Sequence, residues 1–171
     1  TMAPRRKPAP DPWLLGASLL ELPPSACIAV EDSVEGATGA REAGISIPTI
    51  CAHEALPDFG ACRMCIVEIE GNSRPVTACT TPVEAGMTIQ TATPRLESLR
   101  RQTLEPLFGE RNHICPFCAR AGNCELQSQG YRHGMDHVRF DYLHPARTTD
   151  ATHDRFVLDH NRCILCARCV R

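Results

Sequence analysis

Apolar and polar positions change period several times along this chain of 171 residues. Two short apolar runs, 14–22 and 26–31, flank Pro23-Pro24-Ser25 and read as the arms of a β-hairpin. Residues 33–43 place Ala, Glu and Arg behind a Ser33 cap and ahead of Gly44, which predicts a short helix. Gly36 and Gly39 weaken it by up to about 1 kcal/mol each relative to Ala. The sharpest alternation is MCIVEIE at 64–70, a strand. A turn at 71–74 follows, then a return strand from Pro75 to Ala78 that ends at Cys79, then a short strand from Met87 to Thr91. Over 94–108, Leu96, Leu99, Thr103, Leu104 and Leu107 recur at helical spacing, with Pro94 in the first turn and Pro106 kinking or ending the helix. Arg95, Arg100 and Arg101 read as its solvated face, a contact with the following module being the alternative. Residues 125–150 show no clear period, DRFVL at 154–158 reads as a strand, and no internal repeat is visible.

These elements predict an α+β chain. A small mixed sheet, one helix and a ligand loop at 51–63 match the layout of a β-grasp ferredoxin module. Hydrophobic content of 43% suits a globular domain, but aromatics are only 5%, and 14 Pro and 11 Gly interrupt the chain. Stability is therefore expected from bound metal, whose binding free energy becomes folding free energy. A net charge of −2 with no basic, aromatic-interleaved stripe argues against nucleic acid as a partner.

Residues 1–12 read as a disordered lead-in. Arg5, Arg6 and Lys7 before the apolar run from Trp13 superficially resemble a signal peptide. Pro10 and Pro12, and the absence of a small-residue cleavage site, argue against that reading. Pro24 likewise argues against a lipoprotein site at Cys27. No stretch is long enough to span a bilayer, so a cytoplasmic chain without direct membrane insertion is expected, peripheral to a membrane at most through a complex.

Cysteine spacing changes the picture most. Ten of eleven cysteines fall into three groups: Cys51, Cys62, Cys65 and Cys79 as C-x10-C-x2-C-x13-C; Cys115, Cys118 and Cys124 behind His113 as H-x-C-x2-C-x5-C; and Cys163, Cys166 and Cys169 as C-x2-C-x2-C. C-x2-C pairs make poor structural disulfides and an odd total leaves one thiol over, so metal ligation in a reducing compartment is the better reading. Four thiolates suit a 2Fe–2S cluster, although the spacing departs from the plant-type pattern. Gly60 and Ala61 are small enough to bring backbone N–H groups to sulfur, the alternative being an ordinary turn.

In the second group His113 is either a fourth ligand, which would raise the cluster's potential as in Rieske centres, or an outer hydrogen-bond donor. His133, His137, His144, His153 and His160 have no special case. Three thiolates in seven residues suit a cubane better than zinc, but the third group lacks a fourth ligand before Arg171. It needs one from a longer product or from a partner. Cys27 is expected to be buried in a strand, outside any ligand set.

Ile47-Pro48-Thr49-Ile50-Cys51, Gly60-Ala61-Cys62-Arg63-Met64-Cys65 and Cys79-Thr80-Thr81-Pro82 resemble the ferredoxin module of the large iron–sulfur subunit of complex I. So do Asn112-His113-Ile114-Cys115-Pro116-Phe117-Cys118, Gly122-Asn123-Cys124-Glu125-Leu126-Gln127 and the run from Asn161 to Cys169. The same module opens the diaphorase subunit of NAD-reducing hydrogenases and the α subunit of NAD-dependent formate dehydrogenases.

The resemblance covers about 45–171. It implies a 2Fe–2S domain at 13–92 and a helical 4Fe–4S domain at 93–150, ligated by one histidine, His113, and three cysteines. It also implies the truncated start of a second 4Fe–4S ferredoxin-type domain at 151–171. Iron would be held through these same residues. Complex I proteins usually place the histidine four residues before the first cysteine; here it is two, as in the hydrogenase and formate dehydrogenase branches.

The implied function is electron transfer between a flavin/NAD-binding subunit and a hydrogenase, formate dehydrogenase or quinone-reducing, complex I-type partner. No G-x-G-x-x-G follows a strand and no nucleophile–base pair stands out, so no catalytic residue is assigned and no nicotinamide site is expected. A zinc-binding interaction protein and an iron–sulfur redox sensor are the alternatives.

Overall fold

The computed structural model describes residues 5–6, 9–27, 29, 43–44 and 47–170. The helix expected over 33–43 lies outside the described residues except for its last position. The chain is mixed α and β, with three helices (α1 Asp11–Leu19, α2 Pro94–Gly109, α3 Glu125–Arg132) and five short strands among those residues.

The expected hairpin is not formed in its first arm: α1 runs through it, and Cys27 follows a 3₁₀ turn at Pro24–Ala26 in extended backbone. Proline in the first turn and Asp11 at the positive end of the helix dipole favour a helix here, and the apolar run lacks the strict alternation of a strand. The lead-in therefore ends earlier than expected, at α1. Cys27 is half-buried rather than enclosed in a strand, packing with Trp13 and Ala29 around Ala43.

Strand β1 (Ile66–Ile69) is the centre of a three-stranded sheet, flanked by β2 (Val76–Thr77) and β3 (Ile89–Gln90). Both pairings are antiparallel, Val67 opposite Val76 and Ile69 opposite Ile89. Among the described residues the expected mixed sheet is thus antiparallel throughout. Val67 and Ile69 are buried while Ile66 and Glu68 are half-buried, the alternation a strand with one covered face requires. Cys79 lies just past β2, in a 3₁₀ turn at Ala78–Thr80.

Helix α2 covers this sheet. The Thr93 hydroxyl accepts the Leu96 N–H at 3.2 Å and donates to Glu68 at 2.8 Å, so one side chain caps the helix and ties it to β1. Thr93→Ala is expected to cost about 1–2 kcal/mol, read as a lower urea midpoint; an unchanged midpoint would mean water replaces the cap. Pro106 does not end α2, which continues to Gly109; lacking an N–H, the proline leaves the Gln102 carbonyl without its helical donor at the start of the last turn.

The expected solvated face is corrected by Arg100, which is 1% exposed against β1, and by Arg101, whose Nε donates to the His133 carbonyl at 2.5 Å. Helix α3, hidden in a stretch without visible period, packs on α2 through Leu126 and Gly130. Of the expected strand at 154–158 only Leu158 is realised, as the first residue of β5 (Leu158–Asp159), antiparallel to β4 (Thr149–Asp150).

A shared apolar core joins these parts. Ile50, Cys51, Cys62, Met64, Leu104 and Leu126 are buried together, with Leu107, Phe108, Cys124, Met135, Ile164 and Cys166 packed against them. Each of the three cysteine groups contributes to it.

Candidate metal centres

The first group is assembled from the loop before β1 and the turn after β2. Cys51, Cys62 and Cys65 are buried and Cys79 half-buried, with Cys65 Sγ 3.4 Å from Cys79 Sγ. Backbone N–H groups point at the sulfurs: Ile50 N–H reaches Cys62 Sγ at 3.4 Å, Ala61 and Cys62 bond to Cys51, and Gly60 bonds to Cys79. Gly60 has φ +64°, and a Cβ there would stand 3.3 Å from the Thr80 methyl, so glycine is what lets this backbone approach. Arg63, between the C-x2-C pair, is also left-handed at φ +56°, a strained conformation of the kind kept where local geometry serves a site.

The electrostatics of these thiols are uneven. Burial pushes the Cys51 thiol up, with the neighbouring Cys62 adding to the effect. Burial also acts to raise Cys62, but N–H groups of Met64, Ile50 and Cys51 outweigh it and hold this thiol below its usual value. Burial and the adjacent Cys65 sulfur push Cys79 up to about 12. Four such sulfurs become thiolates together only with positive charge among them, which a bound metal would supply.

The second group lines a cavity of about 950 Å³ together with Phe108, Ile164 and Arg168. Cys115 opens a 3₁₀ turn at Cys115–Phe117, Cys118 follows it, and Cys124 caps α3. The Arg120 N–H donates to Cys118 Sγ at 3.4 Å. Burial, then the Cys124 and Cys118 sulfurs, raise the Cys115 thiol.

His113 lines the same cavity. Its ring hydrogen-bonds to the Leu107 backbone, while Nε2 is buried without a partner. The Phe108 ring meets it edge-on at 5.9 Å, and the His113 N–H donates to the Tyr142 hydroxyl at 2.9 Å, which in turn donates to the Arg111 carbonyl. Burial lowers its pKa and so favours the neutral imidazole. One ring nitrogen engaged by backbone and the other free, in a cavity lined by three thiols, is the arrangement that a metal-ligating histidine needs.

The third group lies on the loop after β5. Cys163 and Cys166 are half-buried and Cys169 is exposed, with the Leu165 N–H on Cys163 Sγ at 3.4 Å. Leu165 and Ala167 are left-handed, φ +56° and +58°, which turns the loop tightly around its sulfurs. Asn161 fastens this loop to the second group, accepting from the Asn112 side chain at 2.7 Å. Among the described residues no three of His, Cys, Asp and Glu converge as a single metal ion would require.

His133 was invisible to spacing arguments. It is 3% exposed, with Nδ1 2.5 Å from Glu97 Oε2, and Glu97 also pairs with Arg100 at 2.7 Å. Its partner is 36 residues away, so no local pattern marks it.

Residues 32–94 match the family described as a 2Fe-2S iron-sulfur cluster binding domain, and residues 100–139 match the NADH-ubiquinone oxidoreductase-G iron-sulfur binding region. The NAD-reducing hydrogenase HoxS subunit gamma of Cupriavidus necator is 40% identical over 131 residues, covering 77% of this chain and 55% of the relative. A crystal structure of NAD+-reducing [NiFe]-hydrogenase in the H2-reduced state superposes with a TM-score of 0.70 at 42% identity, covering 77% of this chain and 56% of that one. The chain carries the iron–sulfur module of these NAD-linked oxidoreductase subunits. The NADH-ubiquinone oxidoreductase 78 kDa subunit of Neurospora crassa has the same module, 38% identical over 133 residues, 77% of this chain and 18% of that subunit. The chain thus spans about half the length of its hydrogenase relatives and under a fifth of the complex I one. The module comprises a 2Fe–2S binding domain and a 4Fe–4S binding region. Among the described residues no helix is long and apolar enough to cross a membrane.

Proposed function

We propose that the chain passes single electrons along a row of clusters inside a multi-subunit, NAD-linked oxidoreductase. In this reading Cys51, Cys62, Cys65 and Cys79 hold the 2Fe–2S cluster in a β-grasp domain at 13–92. His113, Cys115, Cys118 and Cys124 hold a 4Fe–4S cluster in the domain at 93–150. Cys163, Cys166 and Cys169, at 151–171, supply three ligands of a second cubane. The clusters supply the redox chemistry. The protein fixes their ligands, withholds water and aims N–H dipoles at sulfur.

The observation that carries this reading is the shared core, in which Cys51 and Cys62 of the first group pack with Cys124 of the second and Cys166 of the third. Isolated structural metal sites have no need of a common interior; a relay does. The chain's partners would be a flavin subunit that handles NAD and a hydrogenase, formate dehydrogenase or complex I-type subunit, in the cytoplasm.

The test is iron, sulfide and zinc content, with low-temperature EPR, on protein purified without oxygen and reduced with dithionite. About six irons per chain, with separate binuclear and tetranuclear signals, is the expected result for two complete clusters. Zinc in place of iron would reject the relay and leave a structural module.

A further inference from the structure

The third cysteine loop carries a positive charge that ligand spacing does not require. Arg168 lies between Cys166 and Cys169, yet its side chain turns back on the first two groups. Nη2 donates to the Ile50 carbonyl at 2.5 Å, next to Cys51, and to Glu125 Oε1 at 2.9 Å. Nη1 donates to Glu125 Oε2 at 2.7 Å, next to Cys124. The side chain lines the cavity of the second group, and its Nε is buried without a partner. A planar fork that grips a carboxylate and a backbone carbonyl at once is held to one geometry.

We propose that Arg168 is a positioning residue shared by the cysteine groups: it pins the third loop onto the first two sites and sets a fixed positive charge that favours their reduced states. This rests on the electron-transfer reading above. Each cluster gains one negative charge on accepting an electron, and a cation held in a partly desolvated junction stabilises that charge more than a solvated one would. Glu125 orients the fork but stands beside Cys124, so its own charge opposes reduction there.

The experiment is an EPR-monitored redox titration of the cluster-loaded chain and of Arg168→Gln, Arg168→Lys and Glu125→Gln. Arg168→Gln is expected to lower the reduced-to-oxidised ratio of the 2Fe–2S cluster at fixed potential by about tenfold, equivalent to 59 mV for one electron. Arg168→Lys keeps the charge and shifts the ratio by less than about threefold, while Glu125→Gln shifts the second cluster the opposite way. Unmoved potentials in Arg168→Gln at full iron content would overturn the proposal. So would a lysine variant that falls as far as glutamine, since geometry without charge would then account for the effect. Should Arg168→Gln fail to hold clusters, Glu125→Gln decides: a second-cluster potential that stays or falls rejects the proposal. An unsubstituted chain that binds no iron rejects the underlying reading instead.

Discussion

Arg100→Ala is expected to destabilise the cluster-loaded chain by about 3–5 kcal/mol. Its guanidinium donates to the Met64 carbonyl at 3.1 Å, to Ile66 at 2.8 Å and to Thr91 at 2.9 Å, and pairs with Glu97 at 2.7 Å. Met64 and Ile66 flank Cys65, so two of these bonds tie α2 to the start of β1 and to the backbone on either side of that cysteine. Truncation leaves three carbonyls without their donor in a site the arginine alone fills, and each unsatisfied group costs about 1–3 kcal/mol.

The matched control is Arg95→Ala, whose pair with Glu68 at 3.1 Å is largely exposed and contributes under about 1 kcal/mol. The measurement is the urea midpoint of helical circular dichroism. With a slope of about 2 kcal/mol per molar, Arg100→Ala should lower it by roughly 2 M and Arg95→Ala by less than about 0.5 M. Equal midpoints would mean that water enters behind the truncated side chain and satisfies those carbonyls.

Arg100 also marks where reading the chain as a string stops. Its neighbours Arg95 and Arg101 suggest a solvated face, and nothing local distinguishes Arg100 as the one of the three that is buried. The acceptors lie 34 and 36 residues back along the chain, at Ile66 and Met64. His133 was overlooked for the same reason.

The cysteine groups were legible because their spacings are local: short intervals put several sulfurs on one turn, with Cys51 and Cys79 added from further along the chain. The strands at 64–70 and 75–78 and helix α2 were legible through strong periods. Helix α1 was not, because a short apolar run reads equally as strand or helix, and proline decides only when it is weighed as a first-turn residue. Helix α3 was missed because its buried face is only Leu126 and Gly130, too narrow for a visible stripe. What no spacing disclosed is that the three groups share one interior, since Cys166 and Ile164 pack against a core that holds Ile50 and Cys51, more than a hundred residues away in sequence.

His113→Cys is expected to lower the potential of the 4Fe–4S cluster without abolishing it. A neutral imidazole gives way to a thiolate, the cluster carries one more negative charge, and each added electron is less welcome. Histidine ligation raises 2Fe–2S potentials by several hundred millivolts when two thiolates are replaced, so one exchange on a cubane is worth on the order of 100 mV. The unpartnered Nε2, the Leu107 hydrogen bond and the lowered pKa all favour His113 as the neutral ligand. EPR-monitored titration reads the shift, with the 2Fe–2S potential as internal reference. Cysteine is shorter than histidine, and the loop must follow it inward, so His113→Ala supplies the second reading. Without any ligand at this position the tetranuclear signal should fall away and iron should drop from about six per chain toward two. A His113→Ala chain that keeps six irons and an unchanged potential would remove His113 from the ligand set. It would also leave the buried Nε2 in need of another partner.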